Sequence, residues 1–168
     1  MEKFLVIGGT SGTGKTYLRE KLLSAFPDKY YQVDQFTTRK IREGESADTY
    51  IFINEFQFKQ VEKYLVGITE INGNHYGSIL PRNEERIGII ILNESGIIEF
   101  KEKMCDSVKC FFLALDKPID EIEVQRDGRD IEYLKKERNI RDVCDVTIRL
   151  QGRYVTVEEV DKLVDIYL

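Results

Sequence analysis

The sequence predicts an α/β fold of three layers, a five-stranded parallel sheet with helices on both faces, and three observations carry that prediction. Short apolar runs alternate with helix-spaced patterns along most of the chain. The first run, residues 4–7 (Phe-Leu-Val-Ile), is uninterruptedly apolar, as a strand buried on both faces requires. Between it and the first helical pattern stands GTSGTGKT, residues 9–16, a complete G-x-x-x-x-G-K-[ST] phosphate-binding loop. Together they specify the P-loop NTPase version of the fold.

After residues 4–7, the remaining strand candidates are 30–33, 87–92, 108–115 and 143–148, each rich in apolar or aromatic residues. The first helix, residues 17–26, is marked by Leu18, Leu22, Ala25 and Phe26 at helical spacing and is stopped by Pro27 and Asp28. Further helices are expected at 95–103, 119–125 and 157–167. Residues 37–78 break the alternation. There, 50–53 reads as a strand, Asn54 as the cap of a helix over 55–65, and 66–71 as a strand leading into an Asn72-Gly73 turn. A strand, helix, strand insert between core elements suits a movable substrate-binding subdomain.

In the loop, Gly9, Thr10, Ser11, Gly12, Thr13 and Gly14 offer backbone N–H groups to an anion, aided by the positive end of the following helix. Lys15 is expected to reach the β- and γ-phosphates of ATP, and the Thr16 hydroxyl to join the shell of Mg2+. Asp34 closes the second strand on the edge where open α/β sheets bind ligands, and is the candidate acid beside that metal.

Composition fits one compact enzyme domain. A chain of 168 residues, 42% hydrophobic, is long enough to bury about two thirds of its unfolded surface. The formal charge of −5, from 25 basic and 30 acidic residues, gives no bulk attraction to nucleic acid or membrane. Cys105, Cys110 and Cys144 form neither a close pair nor an even set, which argues against disulfides or zinc and for a reducing, cytoplasmic compartment. The apolar start is too short for a signal sequence or a membrane span. A monomer or a homodimer is expected.

Three further motifs follow the loop in order: Thr37-Thr38-Arg39-Lys40-Ile41-Arg42-Glu43-Gly44-Glu45, then Tyr50-x-Phe52, then Gly73-Asn74-His75-Tyr76-Gly77-Ser78. They resemble T-T-R-x-x-R-x-G-E, Y-x-F and G-N-x-Y-G-[ST] of the guanylate kinase family, and the likeness runs nearly the whole chain. The resemblance implies ATP-dependent phosphorylation of a nucleoside monophosphate, with GMP or dGMP the family's usual acceptor. It divides the chain into a core of 1–34 and 79–168, a monophosphate-binding subdomain of about 35–78 and a lid of about 126–141. By the same resemblance Arg39, Arg42, Tyr50 and Tyr76 hold the acceptor phosphate, and Glu45 and Ser78 lie at or around the guanine. Planar guanidiniums also suit phosphate on general grounds. Arg126-Asp127-Gly128-Arg129 resembles the lid entry, so Arg129 is expected to act in transfer, with Arg138 or Arg141 as the second lid arginine.

The chain departs from the family pattern at two places. The guanine-reading glutamate falls on Gly67, and Glu70 cannot stand in for it without a shift of register, since an odd offset along a strand changes face. Two aspartates of the strand before the third helix are replaced by Ile91 and Asn93. These changes keep two alternatives open: a P-loop kinase for another ribo- or deoxynucleoside monophosphate, and a non-catalytic guanylate-kinase-like protein-binding module.

Overall fold

A computed structural model describes residues 1–10, 12–104, 106–121 and 138–168. Strands β1 (Lys3–Gly9), β2 (Tyr30–Gln32), β7 (Ile87–Ile91), β8 (Lys109–Asp116) and β9 (Val146–Arg149) form a parallel sheet in the order β2-β7-β1-β8-β9. The expected sheet is therefore present. β1 lies at its centre because the apolar run at residues 4–7 fills both faces. Leu5 and Ile7 join Leu18, Leu22, Ile89, Leu113, Val160 and Val164 on one side. Phe4 and Val6 join Ile90, Ile97, Phe100 and Phe112 on the other. Burying each such side chain stabilises the fold by about 1.5–3 kcal/mol before entropy is charged against it.

The first side is covered by α1 (Lys15–Ala25) and α4 (Val157–Tyr167), the second by α3 (Glu94–Met104) and a 3-10 segment at Arg138–Val143. Helix α4 begins with a capping box, in which the Thr156 hydroxyl accepts from the Glu159 amide and the Glu159 carboxylate accepts from Thr156 N–H. Three expectations are corrected here. The last strand starts at Val146, because Val143 closes the 3-10 segment and the Asp145 carboxylate accepts the Phe112 amide at 2.8 Å, occupying the position a backbone carbonyl would take. Residues 119–121 form a single 3-10 turn, and the remainder of the expected 119–125 helix lies outside the described residues. The helix expected over 55–65 is α-helical only to Val61 and tightens to 3-10 at Glu62–Tyr64.

The segment after β2 builds a second sheet from β3 (Gln35–Thr37), β4 (Ile51–Phe52), β5 (Val66–Ile71) and β6 (Asn74–Ser78), in the order β4-β3-β6-β5. Its outer face carries α2 (Glu55–Val61), capped by Asn54 as its sequence indicates, with Phe58 buried and stacked at a tilt against His75. Its inner face meets β7 and α3: Gln35 Nε2 donates to the Ile91 carbonyl at 3.2 Å, and the Thr69 and Ser95 hydroxyls lie 2.6 Å apart. Strands β3 and β6 give no apolar signal in the sequence, being rich in Gln, Thr, Asn and His. No described helix is long and apolar enough to cross a membrane.

Candidate active site

All five core strands run the same way, so the segments leaving β1, β2 and β7 emerge on one edge, the usual ligand edge of an open α/β sheet. The loop after β1 begins at Gly9, whose φ of +143° and close approach to β8 exclude a side chain: a Cβ there would lie 2.3 Å from the Leu115 carbonyl oxygen. The buried hydroxyl of Thr13 donates to the carbonyl of buried Thr10 at 2.8 Å and fixes the turn. Gly14 is the N-cap of α1, and among the described residues no side chain caps it and no acid occupies the first turn. The helix dipole and its first amides are thus kept for an external anion. Lys15 Nζ donates to the carbonyls of Gly9 and Thr10, at 2.9 Å each, which curls the amine back over the loop. Gly12 and Thr16 are exposed beside it. Ser11 lies outside the described residues.

Across the edge, the turn after β3 gathers the arginines. Arg39 makes a two-point pair with Glu45, Nη2 to Oε1 at 2.7 Å and Nη1 to Oε2 at 3.0 Å, and the same carboxylate accepts the Arg42 amide at 3.0 Å. The Arg39 guanidinium lies over the rings of Tyr50 and Phe52, 5.4 and 5.6 Å from their centroids, and Tyr50 meets Tyr76 edge-on at 5.9 Å. Its pKa is raised, chiefly by the hydrogen bonds to Glu45, and Glu45 is correspondingly held below the usual carboxylate range by Arg39. Burial pushes the Tyr50 phenol up, with Arg19 and then Arg39 acting against it. Arg39, Arg42, Tyr50 and Tyr76 are therefore assembled around one turn. Glu45 belongs to that assembly as the group that positions both arginines.

The inner face of the second sheet differs from what a glutamate at 67 would give. Gly67 sits at a β-bulge between Val66 and Thr69 with φ +63°, and a Cβ there would lie 2.8 Å from a Leu92 methyl. Its amide and that of Ile68 donate to the Glu99 carboxylate of α3, the second at 3.1 Å, so an acid from another element holds the bulge. The register does shift, but it brings Thr69 rather than Glu70 opposite Tyr76. Glu70 lies opposite His75, with 3.5 Å between its carboxylate and Nε2, on the outer face. The inner face presents Gln35, Thr69 and Ser78, backed by Ser95 and by Asn93, whose Oδ1 accepts the Gly96 amide at 2.9 Å. Every one of these side chains is neutral.

Asp34 is exposed at the end of β2, and β7 separates it from β1, so it stands two strand spacings, about 10 Å, from the loop. Gln32, Asp34, Gln35 and the segment 47–51 line a pocket of about 290 Å³ beside it. Among the described residues no three potential metal ligands cluster. A Mg2+ ion needs no such cluster, because it keeps most of its waters and binds through one or two protein groups plus substrate phosphates. Arg129 lies outside the described residues, Arg138 begins the 3-10 segment, and Arg141 is exposed within it.

Sequence reading missed Arg19. Four residues after Lys15, it shares the α1 face of the amine, yet it is only 3% exposed, and its Nε has no partner among the described residues. The spacing was visible in the sequence; the burial was not. Arg39 Nε and Ser78 Oγ are likewise buried without a partner among the described residues.

Comparison with known proteins agrees with this geometry. A family model described as guanylate kinase matches residues 1–89. A guanylate kinase of Prochlorococcus marinus subsp. pastoris is 31% identical over 98% of this chain and 94% of its own. One of Campylobacter jejuni strain RM1221 is 30% identical over 84% and 73%. The crystal structure of guanylate kinase from Anaplasma phagocytophilum superposes with a TM-score of 0.72 at 22% identity, covering 98% of this chain and 84% of that one. With an intact phosphate loop, the arginine turn after β3 and a relative matched nearly end to end, the chain belongs to the guanylate kinase family.

Proposed function

We propose that the protein transfers the γ-phosphoryl group of ATP to a nucleoside monophosphate, GMP or dGMP in first place, giving ADP and the diphosphate. One observation carries the reading. The loop at the end of β1 and the Arg39–Glu45–Tyr50–Tyr76 cluster lie toward the same edge of the core sheet, the second sheet being fastened to the core by Gln35 to Ile91 and Thr69 to Ser95. Two phosphate-binding devices facing one edge are what phosphoryl transfer asks of a protein, since it needs in-line placement and positive charge more than covalent chemistry.

In this reading the amides of residues 12–16 and Lys15 hold the donor's phosphates. Arg39, Arg42, Tyr50 and Tyr76 hold the acceptor's phosphate, with Glu45 keeping the arginines in place. Thr16 and Asp34 would hold Mg2+, which when bound offsets the charge on the β- and γ-phosphate oxygens. An acceptor phosphate oxygen attacks the γ-phosphorus as the bond to the β–γ bridging oxygen breaks, and ADP leaves. No general base is needed, because a phosphate monoester is largely dianionic near neutral pH. The core of 1–34 and 79–168, the monophosphate-binding unit of about 35–78 and the lid of about 126–141, with Arg129 and either Arg138 or Arg141, complete the assignment.

Gly67 supports a second reading of the acceptor alone. A buried carboxylate that pairs with guanine discriminates strongly against other bases, and here the base-facing side chains are neutral. A coupled assay with ATP, magnesium and a panel of ribo- and deoxynucleoside monophosphates tests both. Turnover highest with GMP or dGMP supports the first reading, turnover highest with another monophosphate supports the second, and turnover with none overturns both in favour of a binding module.

A further inference from the structure

Arg19 is the one fully buried arginine of the described residues whose charge meets no carboxylate. It lies on α1 with 3% of its surface exposed, and its Nε has no hydrogen-bond partner among the described residues. Its charge acts on Tyr50, and among the described residues the acid that acts on it is its neighbour Glu20, which is exposed. A buried guanidinium whose Nε has no hydrogen-bond partner opposes folding. Leu18 and Leu22 show that apolar side chains fill the neighbouring buried positions of the same helix. Arg39, whose guanidinium lies over the Tyr50 ring, already carries a counter-ion in Glu45 and so adds little net charge to the clamp. Lys15, one helical turn earlier on the same helix face, lies on the donor side.

We infer that Arg19 is an anion-binding residue of this site, donating from Nε to the acceptor's phosphate beside Tyr50 and supplying the positive charge that Arg39, paired with Glu45, does not. The inference rests on the proposed kinase reading and adds a residue to it. Bound phosphate provides the partner that the buried Nε lacks, so Arg19 destabilises the free protein and stabilises the complex. A residue kept for packing does the reverse.

The test uses the intact protein with Arg19→Met and Arg19→Lys. Binding of GMP, guanosine and inorganic phosphate is followed by calorimetry, and thermal unfolding without ligand is measured in parallel. Arg19→Met is expected to weaken GMP and phosphate binding by about 10- to 100-fold, to leave guanosine binding and the KM for ATP within about twofold, and to unfold at or above the wild-type temperature. Arg19→Lys recovers part of the loss. Unchanged GMP affinity in Arg19→Met, with wild-type turnover intact, overturns the role of Arg19 and spares the kinase reading. A lower unfolding temperature, or failure of that variant to fold, assigns Arg19 to structure and overturns the role as well. If the wild type turns over no monophosphate yet loses phosphate binding with Arg19→Met, the anion site stands and the kinase reading falls.

Discussion

At the scale of single residues, the Glu45 carboxylate does more than its position suggests, since it fixes the Arg39 guanidinium at two points and the Arg42 amide at a third. Its pKa is depressed, first by the Arg39 hydrogen bonds and with help from the Arg42 amide. A group whose folded-state pKa lies below its unfolded value stabilises fully above the unfolded value and loses that contribution as the pH falls through the folded one. The clamp is therefore intact at neutral pH and loosens in acid below the ordinary glutamate range. Glu45→Gln is expected to raise the KM for the acceptor about tenfold, to leave the KM for ATP within about twofold, and to remove this acid-side loss of thermal stability. Steady-state kinetics and unfolding temperatures across pH 3–7 check the prediction; an acceptor KM equal to wild type would leave Glu45 without a positioning role.

At the scale of elements, the bulge of β5 shows how one glycine sets what a strand displays. Gly67 at φ +63° and the Glu99 carboxylate across its amides turn the strand so that Thr69, not an acid, stands opposite Tyr76. Restoring the family's glutamate by Gly67→Glu would meet the Leu92 side chain and a backbone that L-residues seldom adopt, at a cost of about 2–4 kcal/mol. Urea unfolding measures it, and a loss below about 0.5 kcal/mol would show that the bulge relaxes easily. The same element marks where sequence reading stopped. β1, α1, β7, α3, β8 and α4 were legible because apolar spacing and caps specify them locally. β3 and β6 were not, because their residues are polar and their burial comes from packing on the core through Gln35, Thr69 and Ser78. The bulge could be read only as a missing glutamate, and the Glu99 support came from 32 positions away in sequence. The arginine motif identified Arg39 and Arg42, but its Glu45 partner was read as a base contact, because a charge pair within a turn has no periodic signature.

At the scale of the whole molecule, the arrangement is one parallel sheet whose central strand ends in a phosphate loop and whose edge strand β2, beyond β7, leads into a second sheet carrying the arginine turn. The small sheet is held to β7 and α3 by side-chain hydrogen bonds and by Val66 packed into the core cluster, and α2 covers its outer face, so the phosphate loop and the arginine turn are carried by different sheets. The central claim is that positive charge from both brings two anionic ligands together and lowers the barrier to moving a phosphoryl group between them. Transfer of radiolabel from [γ-32P]ATP to GMP in a single turnover tests this most directly, with wild type set beside Lys15→Met. The account predicts labelled GDP from the wild type and formation slower by at least about 100-fold in the variant. Label released only as inorganic phosphate, or equal rates from both proteins, would contradict it.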